Sequence, residues 1–383
     1  TCALPISAAR DLALRGYKVT VFEELPEPGG MLRWAIPSYR LPRKILAREI
    51  DAVRTLGVEI QCGTRIGKKI PLATLGLDFD CVYLATGAHK SQKMGIPGEE
   101  LKGVYGGVEF LRDFNTRESA WTKGKKTLGA KVAVVGGGNS AIDAARCARR
   151  LGAEVTLLYR RERRDMPASP EEIVAAEEEG IRIEYLVAPL QITEKSGRVS
   201  GIVGQRMKLG AFDRSGRKKP VPIEGSEYTL AVDAVIAAIG QVPDMTFVPK
   251  ESGVSINRHG CFALAEGSAS RTTHPRFYAG GDAVTGPDTV IGAIAAGHQA
   301  AREIDETLRR KNGEAPWEAP PEEKIVIPFE LDEENPEAPQ TKMPELSGAG
   351  RNRSFIEVEL GFTKTDAVKE ASRCLRCDVQ ETE

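Results

Sequence analysis

The chain has 383 residues, and its 53 lysines and arginines nearly balance its 54 aspartates and glutamates. Its length is sufficient for two or three domains with cores of their own, and its charge excludes a broad basic surface for nucleic acid. No apolar run reaches the length of a membrane span. The 7 cysteines are mostly isolated, which is typical of a reducing compartment, so we expect a cytoplasmic protein.

The start of the chain predicts part of a dinucleotide-binding unit. Residues 7–14 are expected to form the end of a helix, and residues 18–24 the strand after it. A strand and a glycine loop precede such a helix in a complete unit, so we expect that both are missing here. Glu23 ends the predicted strand, where a carboxylate can accept hydrogen bonds from ribose hydroxyls. The alternative is a solvated surface glutamate.

Residues 26–42, PEPGGMLRWAIPSYRLP, predict a structured loop in which Gly30 allows the backbone to approach a ligand. A helix over 45–56 and strands over 58–62 and 80–87 are expected next. The last strand, DCVYLATG, shares the pattern D-x-V-x-x-A-x-G with DAVIAAIG at 233–240. Small residues at the end of a buried strand let a cofactor lie against the backbone, so the repeat predicts two nucleotide-binding units.

The second unit begins with KVAVVGGGNSAIDAA, residues 131–145. A buried strand over 131–135, a glycine turn and a helix over 140–151 are predicted in the order of a dinucleotide-binding motif. Gly136 permits the tight turn, Gly138 permits close approach of a pyrophosphate, and the helix N-terminus attracts its charge. The alternative is a glycine turn of another α/β protein.

The next strand, predicted over 154–159, ends in Arg160 and Arg161. An acid at this point suits NAD, whereas arginine suits the 2′-phosphate of NADP, so the pair predicts NADPH. The alternative is a solvated basic turn. A capping box formed by Ser169 and Glu172 predicts a helix start, and residues 183–230 predict antiparallel hairpins.

The segment FYAGGD, residues 277–282, predicts a strand that ends in two glycines and an aspartate, and in the following segment, 285–308, a helix is expected to start near Thr289 and Val290. Asp282 can bond a sugar or ribityl hydroxyl, and a helix N-terminus near Val290 can stabilise negative charge on a flavin carbonyl. Alternatively, Asp282 caps that helix. Residues 313–346 predict a linker or wrapped tail, and Thr363 predicts the start of a last helix.

Residues 8–312 resemble the NADPH-dependent glutamate synthase small chain and its flavoprotein relatives, including ferredoxin:NADP reductases of the adrenodoxin-reductase type and the flavin module of dihydropyrimidine dehydrogenase. The stretches that carry the resemblance are EPGGMLRWAIPSYRLP, ATGAHKSQKMGIPG, VVGGGNSAIDAAR, YRRERRDMPASPEE, AAIGQ and AGGDAVTGPDTVIGAIAAG. The resemblance implies an α/β fold of two Rossmann-like dinucleotide-binding domains. An FAD domain is expected in two pieces, 1–107 and 265–312, with an NAD(P)H domain at 108–264 and a C-terminal tail at 313–383.

Site residues are implied by the same resemblance, position by position. The residues expected to contact FAD are Glu23, Gly30, Leu32, Arg40, Ile66, Thr86, Gly281, Asp282 and Val290. Those expected to contact NADPH are Gly138, Asn139, Ser140, Arg160, Arg161 and Gly240. No catalytic side chain is expected, because hydride transfer between stacked rings needs no dedicated acid or base.

Residues 355–362 and 373–377 resemble a segment that opens an iron–sulfur domain in relatives. Cys374 and Cys377 are candidate ligands of a 4Fe–4S cluster, which would need further thiolates from a partner or from missing sequence. The alternative is a free surface dithiol.

The function implied by the resemblance is hydride transfer from NADPH to FAD, with electrons passing on to an iron–sulfur acceptor. The partner expected is an iron–sulfur protein or a glutamate synthase large chain. One alternative is the flavin module of another iron–sulfur complex, such as a ferredoxin:NADP, sulfide-linked or electron-bifurcating reductase. The other is a non-catalytic assembly subunit.

Overall fold

The computed structural model describes residues 3–212, 216–318 and 339–373, so that Cys374 and Cys377 lie outside the described residues. The helices are α1 Ala3–Leu14, α2 Gly30–Trp34, α3 Arg43–Arg54, α4 Leu72–Asp78, α5 Gly107–Thr116, α6 Glu118–Thr122, α7 Asn139–Arg150, α8 Pro170–Glu178, α9 Asp282–Thr285, α10 Val290–Asn312, α11 Gly348–Arg351 and α12 Lys364–Ala371. The strands are β1 Thr20–Phe22, β2 Glu59–Gln61, β3 Val82–Leu84, β4 Lys90–Ser91, β5 Val104–Gly106, β6 Lys131–Val135, β7 Glu154–Tyr159, β8 Arg182–Tyr185, β9 Val187–Lys195, β10 Arg198–Phe212, β11 Lys218–Leu230, β12 Ala234–Ala237, β13 Gln241–Val242 and β14 Phe277–Ala279.

A five-stranded parallel sheet forms the centre of the second unit, in the order β5-β12-β6-β7-β8. Its central strand β6 is buried at every residue after the first, because both faces of the sheet are covered. Val132 and Val134 pack in a core with residues of α5, α7 and α8. Ala133 and Val135 pack on the other face against the antiparallel sheet β11-β10-β9.

The prediction of antiparallel hairpins over 183–230 is wrong for its first strand. β8 pairs in parallel with β7 and forms the edge of the main sheet, and the hairpins begin only at Val187. The alternation of apolar and polar residues is the same in an exposed edge strand as in a hairpin, so periodicity could not separate the two. β5, at residues 104–106, also pairs in this sheet, ahead of the domain boundary expected at 108.

The first unit contains two separate parallel pairs, β1 with β2 and β14 with β3. α1 packs along α10, and the hydroxyl of Tyr17 donates a hydrogen bond to Asp305 at 2.8 Å. β1 and β3 are apolar, yet both are largely half-buried, in contrast to β6.

Helix α8 begins at Pro170, as predicted, but the predicted capping box does not form. The side chain of Ser169 bonds to Glu171 instead of to the backbone. Glu172 instead forms ion pairs with Arg40 and Arg146. These tertiary contacts replace the local cap.

The C-terminal segment 339–373 packs on the second unit. Arg351 forms ion pairs with carboxylates on α8 and at Glu345, and the backbone N–H of Val358 donates to the carbonyl of Tyr39 at 3.0 Å. Thr363 accepts a hydrogen bond from the backbone N–H of Asp366 at 3.2 Å, which confirms the predicted start of the last helix. Among the described helices, none combines the length and apolar character needed to cross a membrane.

Candidate functional site

A cavity of about 1110 Å³ lies in the first unit. Its wall contains consecutive residues of two segments, 17–25 around β1 and 78–86 around β3, together with residues of α1, α4 and α10. Four of the residues expected to contact FAD line this cavity: Glu23, Gly30, Ile66 and Thr86. The other five lie outside its wall.

Glu23 follows β1 and lines the cavity at the carboxyl end of the strand. Its Oε1 atom accepts a hydrogen bond from the backbone N–H of Leu25 at 2.9 Å, and burial raises the pKa of the Glu23 carboxyl. The side chain is therefore held at the cavity wall and is not a freely solvated surface glutamate.

Gly30 begins α2 after a turn that requires glycine. The neighbouring Gly29 has φ 145°, and a Cβ atom there would lie 2.4 Å from Cβ of Arg33. Leu32, the third residue of α2, packs in a cluster with Tyr83 and Ala85, which belong to the cavity wall. The α2 segment is therefore fixed against β3 although Leu32 itself does not line the cavity.

The second piece of the expected FAD site surrounds α9 and α10. Gly281 has φ 57°, and Asp282 is buried, accepts a hydrogen bond from the backbone N–H of Asp288 at 3.3 Å and has its pKa raised by burial. Thr289, and not Asp282, caps α10 through the backbone N–H of Gly292 at 3.1 Å. Asp282 is therefore not the N-terminal cap of α10.

Val290 is the first residue of α10, and 39% of its surface is exposed. One turn further along, Ala293 packs with Leu32, Tyr83 and Ala85. The first turn of α10 and helix α2 therefore pack against the same part of the cavity wall, although the two helices are far apart in sequence.

In the glycine loop of the second unit, only one of the three glycines has open space where an added Cβ atom would lie. A Cβ atom at Gly136, which has φ 140°, would lie 2.2 Å from the carbonyl oxygen of Ala238. At Gly137 it would lie 2.4 Å from the ring of Tyr159, whereas at Gly138 the nearest described atom would be 3.8 Å away. Gly138 has an ordinary extended backbone, so steric space for a ligand, and not strain, distinguishes this position.

Hydrogen bonds fix the segments around this loop. The backbone N–H of Ser169 donates to Oδ1 of Asn139, and the side-chain amide of Gln241 donates to Oγ of Ser140, both at 3.0 Å. Gly240 has φ 155°, and a Cβ atom there would lie 2.6 Å from the side chain of Gln92. The N-terminus of α7, a helix of 12 residues, opens at this loop.

The two arginines after β7 have different environments. Arg160 is exposed, whereas Arg161 is only 5% exposed and donates from Nε to the carbonyl oxygen of Lys218 at 3.0 Å. The guanidinium that faces solvent at this strand end is therefore that of Arg160.

The profile of the pyridine nucleotide-disulphide oxidoreductase family matches residues 6–297. The chain belongs to this family. It is 42% identical to the NADP(+)-dependent formate dehydrogenase subunit beta of Moorella thermoacetica, over 97% of this chain and 53% of the relative. It is 41% identical to the NADPH-Fe(3+) oxidoreductase subunit beta of Geobacter sulfurreducens, over 97% and 59%. The glutamate synthase [NADPH] small chain of Escherichia coli is 36% identical over 77% of this chain and 65% of the relative.

Solved structures agree on the fold. FprA of Mycobacterium tuberculosis in complex with NADPH has a TM-score of 0.66 at 19% identity, over 82% of this chain and 85% of that chain. Thioredoxin reductase of T. acidophilum has a TM-score of 0.56 at 20% identity, over 78% and 93%. The α/β fold predicted from the sequence is therefore confirmed. The chain spans little more than half the length of the first curated relatives it matches.

Arg40 has a position in this family member that the sequence did not reveal. Its Nη1 atom lies 2.8 and 2.9 Å from the carboxylate oxygens of Asp143 on α7, and its Nε atom lies 2.9 Å from Glu172 on α8. The guanidinium therefore links the α2–α3 loop to the second unit, outside the cavity wall.

Two residues of the cavity wall were missed by the sequence analysis. Arg112 donates from Nη2 to the carbonyl oxygen of His89 at 2.8 Å and lies 3.3 Å from Nδ1 of the same residue. Burial lowers the pKa of His89 to about 3, so its ring is neutral near pH 7. His89 stands in the stretch ATGAHKSQKMGIPG, but no pattern in that stretch predicted its partner on α5.

Proposed function

We propose that this chain is an NADPH-oxidising flavoprotein module that delivers electrons to a partner subunit. NADPH would supply a hydride to FAD, which would pass electrons singly to an iron–sulfur acceptor. The coarser function, an NAD(P)H-dependent oxidoreductase, follows from family membership. The finer one rests on the residues of the two units and on the relatives.

The NADPH proposal rests above all on the open space at Gly138. A pyrophosphate there would meet the N-terminus of α7, where backbone N–H groups and the helix dipole favour negative charge. Asn139 and Ser140 are held beside it by the hydrogen bonds already described. Arg160, exposed at the end of β7, is the residue we assign to the 2′-phosphate. Arg161 is committed to the backbone of β11 and has a structural role in this proposal.

The FAD proposal rests on polar groups at and near the cavity. Glu23 would accept hydrogen bonds from ribose hydroxyls, Asp282 would hold a ribityl hydroxyl, and the α10 N-terminus at Val290 would face the flavin ring. Thr86 and Gly30 would contribute close backbone approach.

The partner proposal favours a module of a multi-subunit oxidoreductase. The relatives named as beta subunits of formate dehydrogenase and Fe(3+) oxidoreductase match 97% of the chain, which includes residues beyond 312. The glutamate synthase small chain matches 77% at lower identity. This difference supports the alternative of another iron–sulfur complex over glutamate synthase.

The test combines nucleotide binding with flavin reduction. Gly138→Ala adds a methyl group into open space at an ordinary backbone conformation, so the fold is expected to remain while NADPH affinity falls about tenfold or more. Gly350→Ala, in α11, is the control that should leave affinity unchanged. NADPH fluorescence titration measures both variants.

Flavin reduction is followed anaerobically by rapid mixing of the chain, excess FAD and NADPH. Bleaching of the flavin absorbance that depends on the chain supports the proposal. A chain that binds NADPH with the Gly138 dependence but bleaches no flavin would instead support the assembly-subunit alternative. Equal affinities for the Gly138→Ala and Gly350→Ala proteins would contradict the NADPH site itself.

A further inference from the structure

Arg112 is a half-buried cation in the cavity wall that has no carboxylate partner among the residues described by the structure. Its Nε atom is buried and has no hydrogen-bond partner within the described part of the chain. Arg65 and Lys90 also line the cavity, but each of them forms an ion pair with Asp244. Burying an unpaired charge costs free energy, and a bound anion offsets that cost. The surroundings of Arg112 therefore indicate an anionic ligand.

His89 is held against this guanidinium in one tautomer. Nη2 of Arg112 donates to the carbonyl oxygen of His89 at 2.8 Å and lies 3.3 Å from Nδ1 of its ring. Because a guanidinium has donors only, Nδ1 accepts and the ring proton is assigned to Nε2. The ring is uncharged near pH 7, since burial lowers its pKa to about 3. Its Nε2–H group has no hydrogen-bond partner among the described residues, so it is a second donor at the cavity wall.

The two residues lie where the cavity meets the second unit. Arg112 belongs to α5, whose residues Phe110 and Phe114 are buried in the core of that unit. His89 directly precedes β4, which pairs with β13 just after Gly240. The pair therefore brings a charge carried by the second unit to the wall of the cavity in the first.

FAD carries negative charge in two places that such a pair could bind. Its pyrophosphate is anionic in both redox states, whereas its ring gains negative charge on reduction. We propose that Arg112 and His89 form an anion-binding pair for FAD, in which the guanidinium supplies the charge and the Nε2–H group supplies an uncharged donor. This assignment rests on the proposal that the cavity binds FAD.

Arg112→Ala tests the contribution of the charge. FAD binding is measured by flavin fluorescence with oxidised FAD and by anaerobic calorimetry with reduced FAD. The variant should lose affinity about tenfold or more in at least one redox state. Arg117→Ala is the matched control, because Arg117 directly follows α5, pairs with Asp113 on the surface and lies outside the cavity wall. Circular dichroism and NADPH titration check that each variant is folded.

Two substitutions of His89 test the uncharged donor. His89→Leu removes the Nε2–H group and should weaken FAD binding about fivefold. His89→Gln supplies an amide N–H in its place and should restore most of the affinity. Equal losses in the two variants would show that the ring only fills space, and would overturn its role as a donor.

The redox state of FAD separates the two anionic groups. Equal loss for oxidised and reduced FAD in Arg112→Ala, with unchanged binding of riboflavin, which lacks the pyrophosphate, assigns the pair to the pyrophosphate. A tenfold greater loss for reduced FAD assigns it to the ring. The midpoint potential of the bound flavin would then fall by about 30 mV, measured by equilibration with a reference dye.

Nitrogen NMR of the histidine rings tests the pair without FAD. His89 should be the Nε2–H tautomer in the wild-type chain and a mixture of tautomers in Arg112→Ala. An Nδ1–H tautomer in the wild type would overturn the proposal, as would equal affinities of the Arg112→Ala and Arg117→Ala proteins for FAD in both redox states. A wild-type chain that takes up no FAD would overturn the proposed FAD site together with this assignment, so the two failures are distinguished.

Discussion

The ion pair between Arg40 and Asp143 gives a prediction that can be worked out in free energy. Asp143 is 4% exposed, and burial raises the pKa of its carboxyl to about 6 although Arg40 acts in the opposite direction. The unfolded-state pKa of an aspartate is about 3.9, so the ionised carboxylate of Asp143 lowers the free energy of unfolding by about 3 kcal/mol at pH 8, even in the wild-type chain. Arg40→Ala removes its main compensating charge, and breaking such a buried pair costs about 3–5 kcal/mol.

The sign of the pH dependence follows from the raised pKa. Asp143 binds its proton more tightly in the folded state, so stability from this group is present at pH 4 and is lost as the pH rises through about 6. In Arg40→Ala the loss continues to higher pH, because the carboxyl pKa rises further without the guanidinium. The variant should therefore be about 3 kcal/mol less stable than wild type at pH 8 and only about 1 kcal/mol less stable at pH 5.

Urea unfolding followed by tryptophan fluorescence at both pH values measures this difference. Arg48→Ala is the control, because Arg48 pairs with Glu49 on an exposed surface of α3, where loss of the pair costs at most about 0.5 kcal/mol. Adding Asp143→Asn to Arg40→Ala should restore much of the stability at pH 8. If Arg40→Ala matches the Arg48→Ala protein, or loses more stability at pH 5 than at pH 8, the reasoning about the buried charge is refuted.

Three further predictions concern the nucleotide sites and α10. Arg160→Ala should weaken NADPH binding about tenfold or more and leave NADH binding unchanged, and an equal loss of affinity for both cofactors would contradict the 2′-phosphate assignment. Arg161→Ala should mainly lower thermal stability, because it removes the hydrogen bond to Lys218. The His89 ring should show no protonation between pH 5 and 8 in an NMR titration, because burial lowers its pKa to about 3. Thr289→Ala should destabilise the chain by about 1 kcal/mol in thermal unfolding, and an unchanged melting temperature would deny the cap a role.

The parts of the fold set by local pattern could be predicted from the sequence. The strand at 131–135 and the strand at 154–159 have the predicted bounds, and α7 starts one residue early. A short continuous apolar run that ends in glycines is typical of a buried parallel strand, because both faces of that sheet are covered.

The surroundings of the arginines could not be predicted, because their partners are distant in sequence. Arg40 pairs with a carboxylate 103 residues away, and Arg161 is covered by a strand 57 residues away. Arg160 and Arg161 are indistinguishable as residue types, and only the fold of β11 across one of them separates their roles. The same holds for His89 and Arg112, whose contact depends on the packing of α5.

Tyr39 shows how closely the two units are joined. The residue belongs to the α2–α3 loop of the first unit, yet it is only 1% exposed in the core of the second unit. The guanidinium carbon of Arg150 lies 3.9 Å from the centroid of its ring, and the ring centroid of Phe355 lies 6.4 Å away. A hinge motion that carried one nucleotide away from the other would have to withdraw this aromatic ring from its socket. Tyr39 therefore anchors the first unit to the second, and a relative movement that leaves its ring buried keeps the distance between the units unchanged at this point.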